Sequence, residues 1–259
     1  MPTHFIIPDT QVKDGVPLDH LTWAGKYAAE KRPDVIVMIG DFADMPSLSS
    51  YDVGKKSFEG RQYTKDIQSA EKAMNMLLKP IKEERQKLKI QNKRWNPRLI
   101  LTLGNHENRI DRAIESDRKL EGLISVHDLP FGDWEVYPYL EPVTVHGVVY
   151  CHFFTSGVMG RPVSSARMLN TKKHSSCVMG HVQRKEVDIQ YKADGKRITS
   201  IFAGAYYQHE EDYLGPQGNQ HWRGCWMLHE VRDGEFDEMP ISLDYLGKNT
   251  NERIDRSTN

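Results

Sequence analysis

No run of this 259-residue chain approaches the ~20 consecutive apolar residues of a membrane-spanning helix, which speaks against a helical membrane protein. Cysteine is scarce. Cys151, Cys177 and Cys225 are odd in number, widely spaced and outside any Cys-x-x-Cys pair. That pattern argues against a disulfide framework and a structural zinc knot, and for a reducing compartment. An excess of one charge is also missing. With 35 Lys+Arg against 36 Asp+Glu the net charge is -1, which excludes a strongly basic nucleic-acid coat but leaves local patches open. Met1-Pro2-Thr3-His4 lacks the basic start and apolar run of a secretory signal. No repeat, low-complexity tract or Pro/Gly/Ser linker divides the chain. A cytoplasmic protein is expected, built as one domain over residues 1–246 with a polar, frayed tail at 247–259.

Short apolar runs alternate with helix-like stretches in the first half. His4-Phe5-Ile6-Ile7-Pro8-Asp9 precedes Leu18 to Arg32, where Leu21, Ala24, Ala28 and Ala29 fall at helical spacing. The run from Asp34 to Asp41 is β-branched and too short for a helix, as a strand buried on both faces would be. Lys65 to about Gln91 predicts a helix with Ile67, Ala70, Met74, Leu77, Leu78 and Ile81 on one face, and Pro80 is expected to kink or divide it. Arg98 to Gly104 reads as a third strand and Asn108 to Leu123 as a third helix. Such alternation predicts a parallel sheet built from crossover units. Residues 45–97 form a helical insertion between two motifs.

After Trp134 the pattern turns antiparallel. Val143 to His152 predicts a hairpin turning at His146-Gly147, Ser164 to Lys173 a short helix, and Ser176 to Gly180 another apolar run. Two more hairpins are expected around Asp194-Gly195 and Asp233-Gly234, because Asp-Gly supplies the positive φ such turns need.

The apolar runs end in polar, metal-competent clusters: Asp9-Thr10-Gln11, Gly40-Asp41-Phe42-Ala43-Asp44, Gly104-Asn105-His106-Glu107, His152, and Gly180-His181-Val182-Gln183. Ligands of open sheets bind beyond the carboxyl ends of the strands, so these clusters are placed to meet in one crevice. In this order, the motifs resemble those of the calcineurin-like metallophosphoesterases, over about Asp9 to Gln183, and their overall look resembles the phage-type branch, which would place the protein in a host cytoplasm.

The resemblance implies an α/β fold, a four-layer αββα sandwich of two mixed β-sheets flanked by helices, with the antiparallel remainder supplying the second sheet. It also implies two divalent ions, Mn²⁺ foremost, with Mg²⁺, Fe or Zn²⁺ as alternatives at the histidine-containing site. Asp41 would bridge them. Asp9, Gln11 and Gln183 would complete the first site, and Asn105, His152 and His181 the second. His106 would be the catalytic imidazole, with Asp44 holding one of its ring nitrogens. Two ions suit phosphate esters because they neutralise the oxyanions, acidify a water and hold the attack in line.

Gln11 and Gln183 stand where the family usually has histidine, and both serve the same metal. An all-oxygen site of Asp9, Gln11, Asp41 and Gln183 favours Mg²⁺, Mn²⁺ or Ca²⁺ over Zn²⁺ and binds less tightly. The alternative is that both glutamines only hydrogen-bond across the cleft. Arg109 is placed either to bind a substrate phosphate or to pair with Asp111 or Glu115. His146 lies in a predicted turn, and His174, His209, His221 and His229 have no motif around them.

The expected reaction is hydrolysis of a phosphodiester in a nucleotide or nucleic acid. Two features favour that substrate. Lys79 to Arg98 carries eight basic residues, and the 204–224 segment holds Tyr206, Tyr207, Tyr213 and Trp222, which could stack on a base. The alternatives are a phosphomonoesterase or protein phosphatase, or a degenerate relative that binds without turnover.

Overall fold

The computed structural model describes residues 1–211, 214–219 and 221–257, without the side chains of Ser57, Pro216 and 251–257. Its strands are β1 (His4–Ile7), β2 (Val35–Met38), β3 (Arg98–Thr102), β4 (Glu135–Tyr137), β5 (Val143–Val145), β6 (Val148–Tyr150), β7 (Cys177–Met179), β8 (Lys185–Tyr191), β9 (Arg197–Ala203), β10 (Gly224–Arg232) and β11 (Glu235–Ser242). Its helices are α1 (Asp19–Lys31), α2 (Tyr63–Ile90), α3 (Arg109–Ser116), α4 (Ala166–Lys173), the single turn α5 (Gly215–Gly218) and α6 (Leu243–Ser257).

Two mixed sheets form, a six-stranded one in the order β11-β10-β1-β2-β3-β4 and a five-stranded one in the order β5-β6-β7-β9-β8. Side-chain alternation along each strand builds the layers. Phe5, Ile7, Ile36, Met38, Leu99 and Leu101 face a helix layer with Leu21 and Ala28 of α1 and Ala73 and Leu77 of α2. Their neighbours Ile6, Val35, Val37 and Ile100 point the other way, into an apolar layer shared with Val145, Tyr150, Val178 and Ile201 of the second sheet. Cys151, Cys177, Met179 and Phe202 then meet Ala166 and Leu169 of α4 on the far side. Helix, sheet, sheet, helix is therefore the layer order, and β1, β2 and β3 are buried on both faces. All three cysteines are buried and free. Among the described residues no helix is long and apolar enough to cross a membrane.

Four expectations are corrected. The β10–β11 hairpin does not join the second sheet; β10 pairs antiparallel with β1, Phe5 opposite Met227, and extends the first. The second sheet is mixed, as expected of the sandwich, with β6–β7 and β7–β9 parallel. Pro80 does not divide α2, which is continuous over 28 residues. The helix survives the missing N–H because α1 packs hard against it there. A Cβ added to Gly25 would lie 2.3 Å from the Leu77 carbonyl oxygen and 3.2 Å from Pro80 Cδ. The third helix stops at Ser116, because Asp117 turns extended and its side chain accepts the Lys119 N–H to start a separate 3₁₀ turn. Nor does the chain fray after Leu246. α6 runs to Ser257 and docks on α1 through buried Leu243 and Leu246, with Gly247 close against Trp23. Residues 45–97 hold two 3₁₀ turns, Pro46–Leu48 and Lys56–Phe58, besides α2.

Candidate metal centre

The loops after β1, β2, β3, β6 and β7 meet at one end of the sandwich. Backbone bonds zip the first two together: Thr10 and Gln11 donate to the Asp41 carbonyl at 3.1 and 2.9 Å, Val12 to Phe42 at 2.7 Å, and Asp44 to Val12 at 2.8 Å. Gly180 N–H donates to the His152 carbonyl at 3.0 Å, and Tyr206 N–H to that of Asp9 at 2.8 Å. The glycines are obligatory here. A Cβ on Gly104 would lie 2.1 Å from Asp41 Oδ1, and one on Gly180 would lie 2.1 Å from Asp9 Oδ1. Gln11, Asp41, His181 and Gln183 all adopt left-handed backbone, with φ of 47°, 48°, 66° and 55°. Each such residue costs about 1–3 kcal/mol, and strain of this kind gathers at functional sites.

Asp41, His152 and His181 each offer a ligand atom, all within 4.8 Å of one another, and could hold a metal ion. Asn105 Oδ1 lies 2.9 Å from His152 Nε2 and 2.8 Å from His181 Nδ1. His152 Nδ1 lies 2.9 Å from the Ile39 carbonyl, an acceptor, so Nδ1–H donates there and Nε2 is turned to the site. Asp9 receives the His181 N–H on both oxygens, at 3.2 and 3.0 Å. The charges press on one another. Burial raises the Asp9 carboxyl to about 7, with Asp41 adding to it against the pull of His152. Burial works against a charged His152, yet Asp41 outweighs it and lifts that imidazole to about 10. Burial and the neighbouring His152 lower His181 to about 4. Buried carboxylates that draw positive charge this strongly fit a divalent cation.

His106 lies beside this group. Its Nδ1 is 2.6 Å from Asp44 Oδ1, its backbone N–H donates to Asp41 Oδ1 at 3.0 Å, and its Nε2 is 3.7 Å from Asp41 Oδ2. Burial opposes charge on His106, but Asp41 and then Asp44 hold its pKa above the ordinary value. Arg109 pairs with neither Asp111 nor Glu115. Its Nη1 donates to the Asp44 carbonyl at 2.6 Å and to Asp44 Oδ1 at 3.2 Å, and its Nη2 lies 3.4 Å from His106 Nε2. Asp44 and Arg109 also line a cavity of about 580 Å³, with Lys13, Arg61, Asp66 and Glu211 in its walls.

The two glutamines differ. Both amide atoms of Gln11 are buried with no hydrogen-bond partner, as expected of a side chain that meets something the protein does not itself provide. Gln183 Oε1 accepts from the Tyr207 hydroxyl at 2.8 Å. Of the aromatics that could stack on a base, Tyr206 and Tyr207 are fully buried, Trp222 packs on Trp226, and Tyr213 lies outside the described residues. The basic segment is at the other end of the sheet, because it leads into the start of β3 and Trp95 bonds the Pro33 carbonyl just before β2.

Sequence reasoning gave no role to Glu107, Lys13 or Glu211, and gave Tyr207 a base-stacking role where the structure has its hydroxyl bonding Gln183. Glu107 was visible as the last letter of its motif, directly after the imidazole. The other three lie outside every motif, and only the tertiary fold brings them to the site.

No protein-family model matches the chain, and no curated protein does. Among solved structures, Yfce, a phosphoesterase from E. coli, is similar over 93% of this chain and 100% of its own, with 10% identity and a TM-score of 0.40. That likeness is too loose to bear on activity.

Proposed function

We propose that this protein is a metal-dependent phosphoesterase that hydrolyses a phosphodiester with water as the attacking group. The observation that carries the reading is an oriented imidazole beside a metal-competent group: His106 sits 2.6 Å from Asp44 on one ring nitrogen and 3.7 Å from Asp41 on the other. A pure binding module has no use for that arrangement.

The residues fit two unequal divalent ions. Asn105, His152 and His181 with Asp41 would hold a retained one. Asp9, Gln11 and Gln183 with Asp41 would hold an exchangeable Mn²⁺ or Mg²⁺, with Tyr207 taking one of the two lone pairs of the Gln183 oxygen. Bound divalent ions would neutralise phosphoryl oxygens and make water a better acid. The chain's own part is proton placement. Asp44 binds His106 Nδ1, so Nε2 faces the cleft. The water oxygen bonds to phosphorus and gives up one proton to solvent, the ester P–O bond breaks with its electron pair on the leaving oxygen, and that oxygen takes the proton from His106 Nε2, which solvent restores.

A diester carries one negative charge, whereas a terminal monoester approaches two. Arg109 is the guanidinium beside His106, and Asp44 already engages it, which supports the diester. Among the described residues no aromatic ring of the 204–224 segment and no residue of the basic segment lines the cavity beside His106, so the proposal stops at the diester bond. Purified protein in Mn²⁺ is expected to cleave bis-p-nitrophenyl phosphate faster than p-nitrophenyl phosphate, and His106→Ala and Asp41→Asn are expected to abolish turnover. Equal rates in parent and both variants would remove the assignment; faster monoester cleavage would replace it with a phosphomonoesterase.

A further inference from the structure

Asp44 has more cationic neighbours than holding His106 requires. Its Oδ1 meets His106 Nδ1 at 2.6 Å and Arg109 Nη1 at 3.2 Å, while its Oδ2 lies 3.2 Å from Lys13 Nζ. The same ammonium lies 2.6 Å from Glu211 Oε2. Glu211 is itself buried, 2% exposed, and is held from three sides. Its Oε1 meets His209 Nε2 at 2.8 Å, its N–H donates to Asn219 Oδ1 at 2.8 Å, and its carbonyl accepts from Asn219 Nδ2 at 3.0 Å. His209 then stacks on Tyr207, ring centroids 4.6 Å apart, and Tyr207 bonds Gln183. A continuous polar chain thus runs from His106 through Asp44, Lys13, Glu211 and the 205–211 stretch back to the far rim of the same site.

Burying a carboxylate and an ammonium costs several kcal/mol unless they are paired and bonded. None of these residues belongs to the three apolar clusters of the core. A lysine ammonium is a compact charge on a flexible stem and settles wherever carboxylates hold it. Here Glu211 takes it at 2.6 Å and Asp44 at 3.2 Å. The backbone bond from Asp44 N–H to the Val12 carbonyl, 2.8 Å, brings the two loops into reach.

We propose that Lys13, clamped by Glu211, is a positioning residue for His106: it pins the second oxygen of Asp44 so that the first stays on Nδ1 and Nε2 stays aimed at the leaving oxygen. The proposal rests on the hydrolytic reading only for its kinetic consequence. Glu211 holds the ammonium at 2.6 Å although Lys13 also lines the cavity, so the test separates this role from a direct phosphate contact. Without the clamp, Asp44 is held through Oδ1 alone, where Arg109 competes with His106 for the same oxygen, so the imidazole is less firmly oriented and proton delivery suffers. Poor leaving groups depend on that proton; p-nitrophenolate, a stable anion, hardly does.

The test compares Lys13→Met, Lys13→Arg and Glu211→Gln with the parent on bis-p-nitrophenyl phosphate and on diphenyl phosphate, whose phenolate is the poorer leaving group. Positioned proton transfer contributes on the order of a hundredfold or more. Lys13→Met and Glu211→Gln are therefore expected to lose about tenfold or more in kcat on diphenyl phosphate, and far less on the nitrophenyl ester. KM should hold, and Lys13→Arg should recover part of the loss. An equal loss on both esters, or a rise in KM alone, overturns the proposal in favour of general destabilisation or direct substrate binding.

A second measurement needs no turnover. In the Mg²⁺-loaded protein, the His106 Nδ1 proton, assigned by its disappearance in His106→Ala, is expected downfield and is expected to shift or broaden in Lys13→Met and Glu211→Gln. An unchanged resonance in both variants overturns the proposal. If the resonance responds while no phosphate ester is cleaved, the clamp stands and the hydrolytic reading falls. Should Lys13→Met fail to fold, Glu211→Gln reads the same clamp from its other end.

Discussion

Glu107 Oε2 accepts the backbone N–H of Asp41 at 3.0 Å, tying the loop after β3 to the loop after β2 from a fully buried position. The same oxygen takes the Gly104 N–H at 2.8 Å, and Oε1 takes that of Ala43 at 2.9 Å. One carboxylate thus fixes the strained backbone of a proposed bridging ligand. Burial and then Asp41 raise its pKa in spite of these donors. In Glu107→Gln one N–H donor would face an amide NH₂ instead of an oxygen. The expected loss is about 2–3 kcal/mol, seen as a melting temperature roughly 4–12 °C lower, with metal affinity down about tenfold or more. Melting and calorimetry check both; a variant indistinguishable from the parent means the carboxylate is not what holds the loop.

The two glycines predict different metal defects. A Cβ on Gly104 would meet the Asp41 backbone nitrogen at 2.3 Å as well as its carboxylate, whereas one on Gly180 would meet the Asp9 carboxylate at 2.1 Å and nothing else closer than 3.3 Å. Gly104→Ala should therefore abolish both metal-binding events, because Asp41 serves both sites. Gly180→Ala should weaken the exchangeable ion and spare the retained one. Metal content after dialysis decides it: about equal loss in the two variants would mean the sites are not separable in this way.

Gln11 offers a prediction with two signs. Its amide is buried with no partner, and such a group costs about 1–3 kcal/mol of stability. Gln11→Leu is expected to melt higher than the parent in chelator while losing the weaker calorimetric binding event. Gln11→His should keep that event and turn its preference toward Zn²⁺, because imidazole nitrogen is the softer ligand. A leucine variant that is less stable without metal, or that binds two ions as before, contradicts the placement of Gln11 at the first site.

The strands and the ligand loops were legible because their signals are local. A run such as Asp34 to Asp41 carries both its burial and its terminal acid in eight letters, and Asp-Gly fixes the two later hairpins. Sheet membership was not legible. The β10–β11 hairpin is plain in the sequence, but whether β10 pairs with β1 depends on a contact more than two hundred residues away. Pro80 misled because a broken helix bond is a local fact, whereas the packing of Gly25 that spans it is not. The end of α6 reads as a tail because, among its described side chains, Leu243 and Leu246 are the only large apolar ones buried. Asp9, Asp41 and His106 announced themselves through motifs; Lys13 and Glu211, separated by 198 residues, did not.

Two histidines outside the site set an acid limit on the fold. His4 is buried between the sheets, its Nδ1 2.6 Å from the Tyr150 hydroxyl and its Nε2 2.8 Å from His146 Nδ1, and burial followed by His146 lowers it to about 3. His20 is fully buried in α1, and burial, against a weaker hydrogen bond to the Gln208 amide oxygen, lowers it to about 3 as well. Both stay neutral in the folded state where the unfolded chain takes up protons near 6.5. Between those values the unfolded state binds more protons, so stability is complete above about pH 6.5 and falls as pH drops toward 3, by roughly 2–3 kcal/mol per histidine at pH 4.5. Asp9, raised to about 7, acts in the opposite sense over part of that range. The readout is therefore the difference between parent and variant rather than the parent's slope. Urea unfolding at pH 7 and pH 4.5 should show a smaller acid loss in His20→Gln than in the parent, since glutamine keeps a polar partner for Gln208 and takes up no proton. An equal loss in both would mean that His20 is not protonated on unfolding across this interval.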